Sequence, residues 1–102
     1  MAWRLLTNHM YVLLCVAREP DIRIRDIAAL VGITERATQG IVRDLLEGGY
    51  IEATRVGRRN HYRIVESARF PHPLLAHAEI RSVLREVNRL ASGQPGRSER
   101  LG

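Results

Sequence analysis

One segment limits the folds open to this 102-residue chain more than any other. Ile27-Ala28-Ala29-Leu30-Val31-Gly32-Ile33-Thr34 joins the end of one short helical pattern to the start of another through a single glycine. Ile27, Val31, Ile33, Ile41 and Leu45 recur at the spacing that packs two helices together, and Ala28 allows their close approach. Gly32 takes up the left-handed backbone of a tight turn at little steric cost. Thr34 is a good N-cap for the second helix, and Glu35 suits the positive end of its dipole. Thr38 stands at an inward position that calls for Val or Ile, and its methyl group serves there less well.

The flanking elements arrange themselves around this pair. Residues 7–18 read as a helix capped by Thr7 or Asn8, with Met10, Leu13, Leu14 and Ala17 as its core stripe and Pro20-Asp21 as its stop. Trp3 and Leu5-Leu6 precede it and pack either on a neighbouring subunit or on their own core. Ile22-Arg23-Ile24 alternates as a very short strand does. The central helices are expected over 25–31 and from Thr34 to about Glu47, the second ended by Gly48-Gly49. Residues 50–56 and 61–65 read as the strands of a hairpin around Gly57-Arg58-Arg59-Asn60. Ile51, Ala53 and Val56 are expected on the inner face of the first strand, and Tyr62 and Ile64 share a face of the second. After a connector at 67–73, Pro73 pre-sets a last helix over 74–91. Its Ile80, Val83, Val87 and Leu90 follow a 3-4-3 seam that Leu84 and Ala91 widen.

These elements make a mainly α chain with a small antiparallel sheet, of α+β class. One domain is expected over 1–91, followed by a disordered Gly/Ser/Arg-rich tail at 92–102. A chain this size buries roughly 65% of its unfolded surface, so association with a second copy is a reasonable source of added stability.

Charge identifies the class of partner. The net charge is +5, and all sixteen cationic residues are Arg. A basic balance calls for an anionic partner. A GC-rich genome accounts for the absence of Lys, so only the placement of the arginines is informative. With the packing residues turned inward, Thr34, Glu35, Arg36, Gln39, Gly40 and Arg43 face outward. Arg36 and Arg43 suit guanine edges or phosphates, and Gln39 suits adenine. Gly40 costs about 0.8–1 kcal/mol relative to Ala in mid-helix. It either lets the backbone approach a duplex or forfeits a contact. In the hairpin Arg55, Arg58, Arg59 and Arg63 fall within a stretch free of acids between Glu52 and Glu66, and Asn60 adds a polar tip. Contacts of this kind hold phosphates and supply affinity, and an Arg at the tip also fits a narrow minor groove.

The segments Ile24 to Ala28, Val31 to Ala37, Ile41 to Leu45, Gly49-Tyr50-Ile51 and Val56 to Tyr62 together resemble winged helix-turn-helix transcriptional regulators of the MarR/ArsR type. The resemblance covers about 7–65 and, more weakly, 73–90. It implies a homodimer that binds double-stranded DNA at an inverted-repeat operator, with the third helix in the major groove and the hairpin, or wing, on flanking backbone. It also implies a dimer interface built from the first and last helices. The seam of Ile80, Val83, Leu84, Val87 and Leu90 suits that interface on its own periodicity. The DNA-binding set is then Thr34, Arg36, Gln39, Arg43, Arg55, Arg58, Arg59 and Asn60.

Other chemistries find little support. His72, His77 and Glu79 lie near the start of the last helix, where some ArsR-type regulators bind metal, but their spacing fits poorly and no metal or cofactor is expected. Cys15 lies in an apolar run without a resolving Cys and reads as a packed thiol. No paired carboxylates, phosphate-cradling Gly loop or nucleophile with a base suggests an enzyme. The apolar run 10–17 is too short to span a bilayer. A signal-peptidase reading of Cys15-Val16-Ala17 fails on the interrupting Thr7-Asn8-His9, so the expected location is cytoplasmic. The length leaves no separate sensory domain, so any effector would use the dimer interface. The competing reading is a winged-helix interaction module for a protein or RNA, and a weaker third is a sensor with its chemistry at 72–79.

Overall fold

The computed structural model describes residues 6–70, 72–75 and 78–91, without the side chains of Leu90 and Ala91. Trp3, Leu5, His77 and the expected tail at 92–102 lie outside the described residues. The element order is α1 (Asn8–Arg18), α2 (Ile24–Val31), α3 (Glu35–Glu47), β1 (Ile51–Val56), β2 (Arg59–Ile64), a single 3-10 turn (Pro73–Leu75) and α4 (Ile80–Ala91). The contacts divide the chain into two compact units, Met1–Val65 and Glu66–Gly102. Among the described residues, no helix is long and apolar enough to cross a membrane.

In the first unit α1 opens on Thr7, whose hydroxyl accepts from the Met10 amide at 3.2 Å. Its buried residues are Val12, Leu13 and Val16, whereas Met10, Leu14 and Ala17 are half-buried. The stripe is therefore turned from the one expected. Residues 10–17 are apolar all round, so periodicity alone cannot select the inward face.

The short strand expected at 22–24 is not formed. The Arg23 carbonyl accepts from the Asp26 and Ile27 amides, both at 3.0 Å, so the chain is already turning into α2 there. Ile22 is buried as a core residue. At the other end of α2, Gly32 sits at φ 86°, and the amides of Gly32 and Ile33 both return to the Ala28 carbonyl, at 2.8 and 3.1 Å. This left-handed glycine sets the angle between α2 and α3.

The Thr34 hydroxyl caps α3 by accepting from the Ala37 amide at 3.0 Å. Thr38 is fully buried, and its hydroxyl donates to the Thr34 carbonyl at 2.9 Å. The polar atom is thus satisfied locally while the methyl packs, which explains a Thr at a position suited to Val. Ile41, Val42 and Leu45 complete the inner face. They join Val12, Val16, Ile27, Ile51 and Tyr62 among the buried residues of this unit.

The β1–β2 ladder runs in register from Ile51↔Ile64 to Val56↔Arg59, leaving Gly57-Arg58 as a two-residue loop. Gly57 has φ 62°, and no described non-glycine residue has positive φ. A glycine at the first central position is the chemistry of a type II′ turn, which matches the twist of the paired strands. The returning strand therefore starts two residues earlier than expected. Only Ile51 of β1 is buried; Ala53 is exposed and Val56 is 63% exposed. The inner face ends at the third pair, Ala53↔Tyr62, where the large Tyr62 side chain is the buried member, so Ala53 stays exposed and Val56 lies out on the hairpin beyond the core. Tyr62 holds β2 down, buried and with its amide donating to the Pro20 carbonyl at 2.9 Å.

In the second unit the expected helix over 74–91 begins only at Ile80. Arg69 and Glu79 form an antiparallel bridge. The Ile80 amide donates to the Ala68 carbonyl at 2.8 Å, and the Arg81 amide to the Glu66 carbonyl at 3.2 Å. The connector thus supplies acceptors for amides that an earlier helical turn would otherwise occupy. Pro73 opens the 3-10 turn rather than the helix, and Leu74 within it is 86% exposed.

Candidate nucleic-acid interface

The outward face of α3 follows from its packing. With Thr38, Ile41, Val42 and Leu45 buried, the opposite side is centred on Arg36, Gly40, Arg43 and Glu47. At about 100° per residue these four span about 60° of the helix circumference. Gln39 stands beside them. Arg36, Gln39 and Arg43 are all exposed. On the flank toward α1, the Asp44 carboxylate meets His9 Nε2 at 2.8 Å, which ties α3 to α1 and leaves the arginine strip uncovered. Thr34 is exposed at the head of the helix, but its oxygen is engaged as the cap. A Cβ built on Gly40 has no other heavy atom within 4 Å, apart from its chain neighbours and the helix's own nearby backbone.

The wing presents the second group of arginines. Arg58 is the outer loop residue. The Arg55 Nε donates to the Gly57 carbonyl at 3.3 Å and folds its side chain along the turn. Arg55 and Asn60 are register partners. Arg59 donates from Nη1 to the Asp21 carbonyl at 3.3 Å, and His61 Nδ1 lies 2.6 Å from Asp21 Oδ1. Arg63 makes a direct ion pair with its register partner Glu52. The sequence counts four arginines without a balancing acid, but the ladder brings Glu52 across to one of them, so the unbalanced group is Arg55, Arg58 and Arg59.

Between the wing and the start of α2 lies an open cleft of about 410 Å³ lined by Asp21, Ile22, Arg23, Ile24, Arg58, Arg59, Asn60 and Tyr62. It brings Arg23 beside the wing arginines. In the sequence the alternation of Ile22-Arg23-Ile24 suits a strand, a pattern that does not place Arg23 beside the wing. The sequence signal available was a basic residue immediately ahead of a helix.

The other residues singled out from sequence fall elsewhere. Of the α4 seam, Ile80 and Leu84 are buried and Val83 and Val87 half-buried; the Leu90 side chain lies outside the described residues. His72 Nδ1 accepts from the Leu74 amide at 3.1 Å, and Glu79 pairs with Arg81 at 3.2 Å and with Arg69 at 3.9 Å. His77 lies outside the described residues. Burial pushes the Cys15 thiol above its ordinary pKa, and nearby Arg18 opposes this only in part. Such a thiol is a weak nucleophile at neutral pH.

Taken together, residues 7–65 form a helix pair with an Arg-bearing outer face, followed by a two-stranded basic wing. None of the curated proteins matches the sequence. The model of the MarR family matches residues 5–59, more than half of the chain and most of the elements just described. The chain belongs to the MarR family of DNA-binding transcription regulators.

Proposed function

We propose that the protein is a homodimeric regulator that binds a specific double-stranded DNA operator. In this reading α3 lies in the major groove, where Arg36, Gln39 and Arg43 read base edges. Arg55, Arg58, Arg59 and Asn60 of the wing hold flanking backbone or the minor groove. The observation that carries it is that one compact unit exposes both arginine groups, one on a helix face and one on a hairpin. A good bidentate Arg–guanine or Gln–adenine contact contributes about 1–3 kcal/mol of discrimination, whereas phosphate contacts add affinity without sequence preference. The division of labour between α3 and the wing follows from that difference.

The dimer is supported by the half-buried Val83 and Val87 on α4, apolar groups whose burial a partner helix would complete. Two-fold symmetry then requires an inverted repeat, with half-site centres about 34–36 Å apart or a multiple of that. The regulator works in the cytoplasm, and its reading function needs neither metal nor cofactor.

The test is fluorescence anisotropy on labelled duplex from upstream of the coding region, with salt titration and random-sequence competitor. Binding that survives competitor and falls steeply with salt is expected. Equal affinity for random DNA overturns operator recognition and leaves the interaction-module reading. Sedimentation equilibrium of the full chain reports the dimer, and a monomer at micromolar concentration removes that part of the proposal.

A further inference from the structure

Gly40 occupies an unusual place in α3. It is itself half-buried and lies within about 30° of the middle of the face that carries the exposed Arg36 and Arg43, one turn after Arg36 and one turn before Arg43 and Asp44. Three structural reasons commonly fix a glycine inside a helix. A positive φ is one, but the described glycines with positive φ are Gly32, Gly49 and Gly57. Close packing of another element is a second, but a Cβ at Gly40 would meet nothing within 4 Å. The third is close approach by something outside the chain. Gly48 is a useful contrast, because a Cβ there would come within 3.0 Å of the Tyr50 ring. Gly48 has an internal reason to lack a side chain and Gly40 has none.

We propose that Gly40 is a specificity-determining residue, the point at which the α3 backbone comes closest to the base-pair edges of the operator. The inference rests on the operator reading above and adds a residue to it. The Cα atoms of a helix lie on a cylinder of radius about 2.3 Å, inside a side-chain envelope of about 5–6 Å. A glycine in the middle of the reading face therefore opens a notch about 3 Å deep between two arginines. A base-pair edge seated in that notch lets Arg36 and Arg43 straddle it and reach the neighbouring pairs, with their guanidinium forks in the groove plane. A methyl group at position 40 lifts the helix away and lengthens both arginine contacts at once. The wing, which does not depend on the notch, keeps its grip on the backbone.

The test compares wild type with Gly40→Ala and Gly40→Ser in the full chain. Each is measured against labelled upstream duplex and against random duplex of equal length, alongside thermal melting. Alanine restores helix propensity without meeting a neighbour, so Gly40→Ala is expected to melt about 4–8 °C higher. Its affinity for upstream duplex is expected to fall at least tenfold, while its affinity for random duplex stays within about twofold. Gly40→Ser should show the same selective loss, since the notch is filled in either case. Undiminished operator affinity in Gly40→Ala, or an equal loss on both duplexes, overturns the inference. Wild-type protein that fails to discriminate the duplexes overturns the operator reading itself, and the two failures are distinguished by the wild-type control.

Discussion

His61 Nδ1 lies 2.6 Å from Asp21 Oδ1, fastening the returning strand of the wing to the loop ahead of α2. Arg59 reaches the backbone carbonyl of the same residue, so Asp21 holds two positions of β2 on one side of the hairpin. Both partners of the His61–Asp21 pair are about half exposed, which limits such a pair to about 0–1 kcal/mol. Asp21→Ala is therefore expected to change global stability by less than about 1 kcal/mol in urea unfolding. Its visible effect is local: amide exchange over residues 57–61 should accelerate while α3 stays protected. Unchanged exchange in the wing would show that the clasp does not restrain it.

The two arginine groups make opposite predictions for binding. Arg43→Ala is expected to cost about 1–3 kcal/mol on the operator and little on random DNA, flattening base preference at one position of each half-site. Arg58→Ala combined with Arg59→Ala is expected to weaken binding to all sequences by a similar factor. Each lost phosphate contact lowers the slope of log K against log salt by about 0.9, so the double variant should lose nearly 2 per subunit. Anisotropy titrations at several salt concentrations separate the two patterns, and a uniform loss from Arg43→Ala would reassign that residue to the backbone.

Thr34 and Thr38 share one carbonyl but differ in consequence. Thr34→Ala removes the cap on the Ala37 amide and is expected to destabilise by about 1 kcal/mol. Thr38→Val removes a hydroxyl whose acceptor, the Thr34 carbonyl, still receives the Thr38 amide at 3.0 Å. No buried group is left unpaired, so Thr38→Val should lie within about 1 kcal/mol of wild type. Urea denaturation measures both, and a large loss from Thr38→Val would give the hydroxyl a role that the geometry does not.

The thiol of Cys15 supplies a pH dependence. Burial raises its pKa from the reference 9.0, so the folded chain holds this proton more tightly than the unfolded chain does. The associated stability is fully present below the unfolded pKa and is lost as pH rises through the folded one. Melting temperature should therefore fall more steeply above about pH 9 in wild type than in Cys15→Ala. Iodoacetamide should also alkylate native Cys15 more slowly than a free cysteine at pH 8. Equal slopes in the two proteins would assign the alkaline loss to other groups.

The parts most legible from sequence are those fixed by local chemistry. Thr34 announces a cap, Gly32 a left-handed turn and Gly57 a hairpin, because each needs only its immediate neighbours to act. Periodicity placed the inner face of α3 because charged and apolar residues alternate there at helical spacing. It misplaced the inner face of α1, where apolar residues occupy every side. The start of α4 was illegible for a different reason. Glu66, Ala68 and Arg69 pair with Glu79, Ile80 and Arg81 across about a dozen residues, and no local pattern encodes that meeting. The pairing of Arg63 with Glu52 needed the strand register, and the approach of Arg23 to the wing needed the tertiary fold. The readers proposed on α3 were visible as residue types, but the empty space above Gly40 became visible only with neighbours in place.

The ladder of the wing also has a length. Each residue of an antiparallel strand advances about 3.4 Å, which is also the rise of one base pair along a strand of B-form DNA. The six paired positions from Ile51 to Val56 span five such steps, about 17 Å or about five base pairs, with Arg58 beyond their outer end. With the wing laid along the duplex as proposed, a regulator that reads only a few bases with one short helix would shield up to about half a helical turn beyond the bases it reads. Its nuclease footprint would then outrun its consensus, and the excess would shrink if the hairpin were shortened by a cross-strand pair.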